Sequence, residues 1–115
     1  VYAQTIAGKE SATPGVAKNS WLTGTAAWNY VAITQWILGI RPSYDGLLLN
    51  PVIPTNWSGY KAVRVFRDVR YEIEVKREGS GNHITILVDG KEMTGNLIPT
   101  PEKPVEKVVV TALIR

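Results

Sequence analysis

A helix without a single charged residue dominates the first half of the chain. The segment from Asn19 to Asp45 reads NSWLTGTAAWNYVAITQWILGIRPSYD, and its pattern predicts a helix from about Gly24 to Leu38. A helix that is apolar on every side is stable in water only when it is buried on every side. The short strands predicted after it are too few to surround it. The helix is therefore expected to pack against further parts of a larger protein.

Both ends of this helix have predicted caps. Thr23 is expected to be the N-cap, because its hydroxyl can accept a hydrogen bond from a free N–H group of the first turn. Gly39 stands where a glycine commonly ends a helix, and Pro42 follows three residues later.

The residues before the helix are predicted to be helical at first and then irregular. In the opening stretch VYAQTIA, Tyr2, Ala3 and Ile6 recur at helical spacing. The connection KESATPGVAKNS, residues 9–20, is rich in small and polar residues and is predicted to be exposed. Because the first pattern starts without a cap, the chain is expected to be part of a longer polypeptide.

From about Tyr44 onward the sequence has the two-residue period of β-strands. The segment from Val69 to Lys76 alternates between apolar and charged residues, which predicts an antiparallel strand with one buried face. Asp89-Gly90 is a strong signal for a two-residue hairpin turn. The predicted strands cover residues 47–49, 61–67, 69–76, 83–88, 91–98 and 105–114. Short strands at this spacing predict a mainly antiparallel, jelly-roll-like β-sandwich over residues 43–115, after a helical part over residues 1–42.

Composition excludes several classes of function. The formal net charge is +3, but the 13 Lys and Arg residues are interspersed with acidic residues and form no basic stripe for nucleic acid. The chain has no cysteine, so it has no disulfide and no thiolate metal site. His83 is the only histidine, is expected to be exposed, and cannot form a metal site alone. No apolar stretch is long enough to span a bilayer.

The Thr23-Gly24-Thr25 turn is the best candidate for a binding site. Free N–H groups and the positive end of the helix dipole favour an anion at a helix start. Gly24 would let an anion approach the backbone closely, and a threonine hydroxyl can donate to it. The simpler interpretation is that Thr23 only caps the helix and Gly24 only allows the turn. Both interpretations can hold together.

Four tryptophans are further candidates for lining a site, because aromatic faces often contact ligands. Trp21 lies next to the turn and is the best of them. Trp28 and Trp36 lie on the apolar helix, so packing in a core is the favoured interpretation for both. Trp57 is expected to cover one end of the sheet.

Three stretches resemble the C-terminal end of the cellobiose phosphorylase family. They are VYAQTIAGKE, AKNSWLTGTAAWNYVAITQWILGIRPSYDGLLLNPVIPTNW and FRDVRYEIEVK. The resemblance is close over residues 1–76 and most specific over residues 19–54. The family includes cellodextrin and chitobiose phosphorylases and the phosphorylase-like part of cyclic β-1,2-glucan synthases. The resemblance implies that residues 1–42 are the last helices of an (α/α)6 barrel and that residues 43–115 are the C-terminal β-sandwich.

The resemblance also implies a reaction. These enzymes cleave a β-glucosidic bond with inorganic phosphate, invert the anomeric centre and release α-glucose 1-phosphate, without a metal or an organic cofactor. Thr23 and Gly24 match the pair that contacts phosphate, and Thr25 and Trp21 would line the site. The general acid is an Asp of the barrel, upstream of this segment together with an Arg and a His that bind phosphate, so no catalytic residue is expected here. A cytoplasmic, homodimeric full-length enzyme is expected.

Two alternatives stay open at this point. The chain could be a β-sandwich module that binds carbohydrate or has a structural role and takes no part in catalysis. It could also be the tail of a cyclic β-1,2-glucan synthase, since upstream loops set the substrate. Without the rest of the larger protein, the apolar helix would be exposed, and the chain is then expected to self-associate through it.

Overall fold

The structure, a computed structural model, describes residues 3–19, 23–102 and 105–115. The chain divides into two compact units, residues 1–33 and residues 34–115. The helical elements are α1 (Thr25–Val31) and a π-helix (Ala32–Ile37). The strands are β1 (Thr5–Ile6), β2 (Ala17–Lys18), β3 (Ile40–Pro42), β4 (Gly46–Leu49), β5 (Gly59–Phe66), β6 (Val69–Arg77), β7 (Ile84–Val88), β8 (Lys91–Met93), β9 (Leu97–Pro99) and β10 (Lys107–Ile114).

The first unit begins with a small hairpin, so the helical interpretation of the opening residues was wrong for the part that the structure describes. Thr5 pairs with Lys18 and Ile6 with Ala17 in an antiparallel ladder. Two further backbone bonds extend it, from Ala7 N–H to the Val16 carbonyl (2.9 Å) and from Gln4 N–H to the Lys18 carbonyl (3.2 Å). A helix of about seven residues has little stability of its own. The turn-rich residues 8–15 bring a pairing partner back alongside instead.

The predicted helix is present, with a change of geometry in its second half. The α-helical turns end at Val31, and the next six residues, Ala32–Ile37, form a π-helix. None of the described residues from Thr25 to Ile37 is buried. The side chain of Trp28 is 74% exposed and that of Trp36 is 60% exposed. Among the described residues, the core packing expected for these two tryptophans therefore does not occur.

Three consecutive carbonyls at the end of the π-helix accept hydrogen bonds from later residues, and all of these residues belong to the second unit. The Ile37 carbonyl accepts from Val52 N–H at 2.9 Å, and the Gly39 carbonyl accepts from Asn50 N–H at 2.9 Å. Between them, the Leu38 carbonyl accepts from the hydroxyl of Tyr60. Helix ends leave carbonyls without intrahelical partners, and here the chain supplies those partners.

Gly39 ends the helix as predicted. Its φ is +69°, and a Cβ atom built on it would lie 2.0 Å from the Asn50 carbonyl oxygen. A side chain at this position would be strained and would also clash with the backbone, so the turn requires glycine.

The second unit contains a five-stranded sheet with the order β5-β6-β10-β7-β8. Strand β6 pairs antiparallel with β5, as predicted, but it pairs parallel with β10, from Arg70 opposite Lys107 to Arg77 opposite Ile114. The period of two is the same in both kinds of pairing, so the sequence pattern did not reveal the parallel neighbour. The remaining ladders of the described sheets are antiparallel.

A second, three-stranded sheet has the order β3-β4-β9. Residues 91–98, predicted as one strand, are divided between the two sheets: β8 pairs with β7, and β9 pairs with β4. Gly95, with a φ of +84°, lies in the connection where the chain changes sheet. The Asp89-Gly90 hairpin is confirmed, with φ values of +48° and +80° between the paired residues Val88 and Lys91.

Both sheets contribute to one hydrophobic core, as in a β-sandwich. The predicted alternation of β6 is confirmed, because its apolar residues face the core and its charged residues do not. The buried residues are Ile40, Leu47, Leu49, Ile53, Val69, Tyr71, Ile73, Val75, Ile86, Ile98, Val108, Val110, Ala112 and Ile114. Burial of each large side chain contributes about 1.5–3 kcal/mol, which makes this core the main source of stability of the unit.

The outer face of the five-stranded sheet has paired charges. Glu72 lies between Arg70 Nε and Lys107 Nζ, and Glu74 lies between Lys61 Nζ and Lys76 Nζ, with all four nitrogen–oxygen distances at 3.2 Å. These contacts confirm that the charged side of β6 is a solvated sheet face. Among the described residues, no helix is long and apolar enough to cross a membrane.

Candidate functional site

The turn before α1 is organised by two threonine hydroxyls. Thr23 Oγ1 accepts a hydrogen bond from the backbone N–H of Thr25 at 3.2 Å. The same oxygen lies 2.8 Å from Thr25 Oγ1, a distance at which one hydroxyl donates to the other. The two oxygens therefore form a fixed pair at the start of the helix. The pair is exposed, so a ligand can reach it.

The N-cap lies one residue later than predicted. Gly24, with φ −69° and ψ −8°, occupies the N-cap position, and its carbonyl accepts from Trp28 N–H at 3.0 Å. Thr23 still bonds a first-turn N–H group, that of Thr25, but it does so from one residue further out. The hydroxyl of Thr23 reaches this nearer N–H group because the backbone of Gly24 has already turned into the helical region.

The surroundings of Gly24 are open. A Cβ atom built on Gly24 would meet only Trp28 Cδ1, at 3.8 Å. The backbone therefore does not need glycine for steric reasons, in contrast to Gly39. What the missing side chain provides is access to the backbone of the turn.

The electrostatics of the turn favour an anion. The first turn of α1 has no acidic residue. The N–H groups of Ala26 and Ala27 are at helix positions that have no carbonyl partner within the helix. Free N–H groups of this kind point along the helix axis towards any group bound before it. Hydroxyls, N–H groups and an absence of carboxylates suit an oxyanion better than a cation.

Three of the four predicted site residues make up this geometry, and the fourth is not among the described residues. Thr23 and Gly24 form the turn, and Thr25 adds the second hydroxyl. Trp21 lies outside the described residues. The sequence analysis did not single out Asn29, whose side-chain amide donates to the Thr25 carbonyl at 2.9 Å. An Asn four residues after Thr25 on a helix is a spacing that could have indicated this contact.

Comparison with known proteins places the turn inside a matched family region. Residues 1–39 match the family model described as "Glycosyl hydrolase 94 superfamily, catalytic domain". An N,N'-diacetylchitobiose phosphorylase from Vibrio proteolyticus is 33% identical over 114 residues, which is 95% of this chain and 14% of that protein. A solabiose phosphorylase from Paenibacillus borealis is 37% identical over 83 residues, which is 70% of this chain and 11% of that protein.

A third relative has a different activity in its name. The cyclic beta-(1,2)-glucan synthase NdvB from Rhizobium meliloti is 37% identical over 80 residues, which is 70% of this chain and 3% of that protein. The chain thus spans at most about a seventh of the length of these relatives. The chain belongs to the glycosyl hydrolase 94 superfamily, which confirms the resemblance to the cellobiose phosphorylase family.

Proposed function

We propose that the whole protein is an inverting disaccharide phosphorylase. It cleaves a β-glucosidic bond with inorganic phosphate and releases α-glucose 1-phosphate and a shortened sugar. The observation that carries this proposal is the open, hydroxyl-lined turn at Thr23-Gly24-Thr25, which lies within the residues that match the family's catalytic domain. Relatives named as phosphorylases over most of the chain support it.

In this reaction Thr23 and Gly24 bind the attacking phosphate. The Thr23 hydroxyl donates to a phosphate oxygen, and the bare backbone of Gly24 lets another oxygen approach the N–H groups of the turn. The hydroxyl of Thr25, whose Oγ1 lies 2.8 Å from Thr23 Oγ1, donates a hydrogen bond to Thr23 Oγ1 and so leaves the Thr23 proton for the phosphate. Together these groups hold the phosphate in place for attack on the anomeric carbon, which removes the entropic cost of finding that geometry.

The type of donor separates phosphorolysis from hydrolysis. An inverting hydrolase uses a second carboxylate to activate water. A carboxylate at the phosphate position would repel the nucleophile, whereas hydroxyl and N–H donors attract it. The first turn of α1 has no acidic residue, which supports phosphate as the nucleophile. We assign no catalytic acid to this chain, no metal and no organic cofactor, with phosphate as the co-substrate.

The apolar helix supports the architecture implied by the family. Trp28, Tyr30 and Ile33 of the first unit expose apolar surface, as does Trp36 of the second unit, and further helices would cover it. We therefore propose that residues 1–42 complete an (α/α)6 barrel and that residues 43–115 form its jelly-roll-like C-terminal domain. Homodimer formation and a cytoplasmic location belong to the same proposal. A module without any catalytic role would leave this surface uncovered, which is why we favour the enzyme.

A second candidate function is the tail of a cyclic β-1,2-glucan synthase. The similarity to the Rhizobium protein over 70% of the chain supports it. The turn would have the same phosphate-binding role there, because the segment is shared between the two kinds of protein.

The test is the phosphate dependence of the full-length protein. Purified protein is incubated with cellobiose or N,N'-diacetylchitobiose, with and without inorganic phosphate, and sugar 1-phosphate is measured. We expect release only when phosphate is present, with the α configuration. Equal cleavage without phosphate, giving free sugars, would show a hydrolase and overturn the proposal.

A further inference from the structure

The second unit contains a polar groove that the proposed reaction does not use. It has a volume of about 490 Å³ and lies where β8, the edge strand of the five-stranded sheet, leads into the three-stranded sheet. Its walls come from the start of β7, from β8 and from the connection to β9. The lining residues are Asn50, Asn82, His83, Ile84, Thr85, Glu92, Met93, Thr94, Gly95 and Asn96. This volume is within the range of small-ligand sites.

The polar side chains of the groove are free to bond a ligand. They comprise three amides, two hydroxyls, an imidazole and a carboxylate. Within the part of the chain that the structure describes, none of them makes a hydrogen bond or an ion pair with the protein. The outer sheet face is different, because Glu72 and Glu74 each bond two cationic side chains. The groove therefore offers several unused donors and acceptors to a ligand.

The backbone that carries these side chains is held in place. His83 exchanges two backbone bonds with Arg115, at 3.0 Å and 2.9 Å. The Asn96 carbonyl accepts from Leu49 N–H at 2.8 Å, and Asn50 N–H donates to the Gly39 carbonyl at 2.9 Å. A groove whose walls are already ordered loses little entropy when a ligand binds.

The lining selects the chemical class of the ligand. The groove has one carboxylate and no Lys or Arg, so neither a phosphate nor a multivalent cation is well matched. Amides, hydroxyls, an imidazole and a carboxylate pair well with vicinal hydroxyl groups, which both donate and accept. Ile84 and Met93 provide a small apolar surface for the C–H face of a sugar ring.

We propose that this groove is a carbohydrate-binding site, separate in its residues from the Thr23 turn, for a neutral β-linked oligosaccharide. The ligand class follows from the groove, and the choice of a β-linked glucan rests on the proposed function. The sequence left open a carbohydrate-binding β-sandwich but did not locate this site, since His83 was interpreted as an exposed residue without a role. Binding is weak, with a dissociation constant of about a millimolar, because a few net hydrogen bonds drive it.

The test is an NMR titration with cellotetraose, with glycerol as a polyol control, of the 115-residue chain carrying Trp28→Gln to reduce its expected self-association. We expect saturable shift changes at the amides of Asn82–Thr85 and Glu92–Asn96, and none with glycerol. The Glu92→Ala/Asn96→Ala double variant removes two unpartnered side chains and should bind about tenfold more weakly. The matched Asn56→Ala/Glu106→Ala variant, exposed and outside the groove, should bind like the unchanged protein.

Each result decides the proposal. Saturable changes confined to the groove and weakened by the double variant would support it. Changes spread over the surface, no saturation, or equal loss in both double variants would overturn it. Equal thermal midpoints of the two variants exclude misfolding as the cause. The titration measures no turnover, so its outcome is independent of whether the full-length protein is phosphate-dependent.

Discussion

The side-chain oxygens of Thr23 and Thr25 lie 2.8 Å apart at the start of α1, and the oxygen of Thr23 also accepts a hydrogen bond from the backbone N–H of Thr25. Thr23 thus stabilises the turn and keeps a hydroxyl exposed at the same time. The structural role and the proposed phosphate-binding role fall on the same atom, so only variants that separate them are informative.

Replacement of Thr23 by Val in the full-length enzyme should raise the KM for phosphate about tenfold to a hundredfold. The variant keeps the shape but removes a charge-assisted hydrogen bond, which contributes about 1.5–3 kcal/mol. The KM for the disaccharide should change far less. Thr23→Ser keeps the hydroxyl and should restore phosphate binding. If Thr23 only stabilises the turn, steady-state kinetics will show an unchanged KM for phosphate, with a loss of about 1 kcal/mol of stability.

The variant Gly24→Ala tests whether phosphate needs access to the backbone at Gly24, because the substitution should leave the stability of the fold almost unchanged. The backbone at Gly24 suits alanine, and the new Cβ would meet only Trp28 Cδ1 at 3.8 Å, so stability should change by less than about 1 kcal/mol. The methyl group would still cover the N–H groups of the turn. We expect the KM for phosphate to rise about tenfold, the equivalent of one lost hydrogen bond to an anion. Normal phosphate saturation in a normally stable variant would remove Gly24 from the site.

The exposed helix should make the 115-residue chain associate with itself. Trp28 is 74% exposed on a helix that has no charged residue. Sedimentation velocity should show concentration-dependent dimers or larger species, and Trp28→Gln should shift them towards monomer. Val52→Gln, which removes an apolar side chain 65% exposed outside the helix, is the matched control. A monomer at all concentrations, or an equal effect of the two variants, would contradict association through the helix.

Acid should weaken the second unit through its paired glutamates. Hydrogen bonds from Arg70 and then Lys107 lower the pKa of Glu72, and those from Lys76 and then Lys61 lower the pKa of Glu74. A pKa that is lower in the folded state stabilises the fold above the ordinary value of 4.5, and this stabilisation is lost as the pH falls through the folded pKa. The urea midpoint should therefore stay constant from neutral pH to about pH 5 and fall as the pH drops below 4.5.

A glutamine variant isolates that acid effect. Glu72→Gln/Glu74→Gln should have a lower urea midpoint at neutral pH and a flatter dependence on acid. Glu92→Gln is the control, because Glu92 has no ion-pair partner among the described residues. The pairs are exposed, so about half a molar of salt should reduce the difference between the variants. An identical acid profile in all three proteins would show that the pairs contribute nothing.

Tyr60 should make the fold less stable at alkaline pH. Burial raises the pKa of Tyr60, whose hydroxyl donates to the Leu38 carbonyl at the end of the helix. A raised pKa stabilises the fold below the ordinary value of 10.0, and this stabilisation is lost as the pH rises towards the folded pKa. Tyr60→Phe should cost about 1 kcal/mol near neutral pH, because the carbonyl loses its donor, and should flatten the alkaline loss. Tyr44→Phe, at an 86% exposed position, is the control and should change neither the stability near neutral pH nor its loss at alkaline pH.

The strands and turns that the sequence predicted correctly are those with local causes. The alternation from Val69 to Val75 places four apolar side chains on one face whatever the neighbouring strands are, and all four are buried. Asp89-Gly90 and Gly39 adopt positive φ because the chain reverses or ends a helix there, and such backbone geometry favours these residues. The threonines before the helix bond its first turn for an equally local reason.

The errors concern choices between distant partners. The parallel pairing of β10 with β6, the hairpin of residues 5–18 and the change of sheet between Met93 and Leu97 each depend on which segment comes to lie alongside. No short pattern encodes that choice, because one strand face can pair with many others. The polar groove was missed for the same reason, since Asn50, His83 and Asn96 meet only after the two sheets have formed.

By itself the sequence determined the family, the apolar helix, the glycine that ends it, the Asp89-Gly90 hairpin turn and the buried face of β6. These features follow from backbone conformation and side-chain polarity within a few residues. Only the tertiary structure decided the order of the strands and the groove along β8. Such features depend on distances between atoms that the folded backbone alone brings together, and a linear sequence carries no such distances.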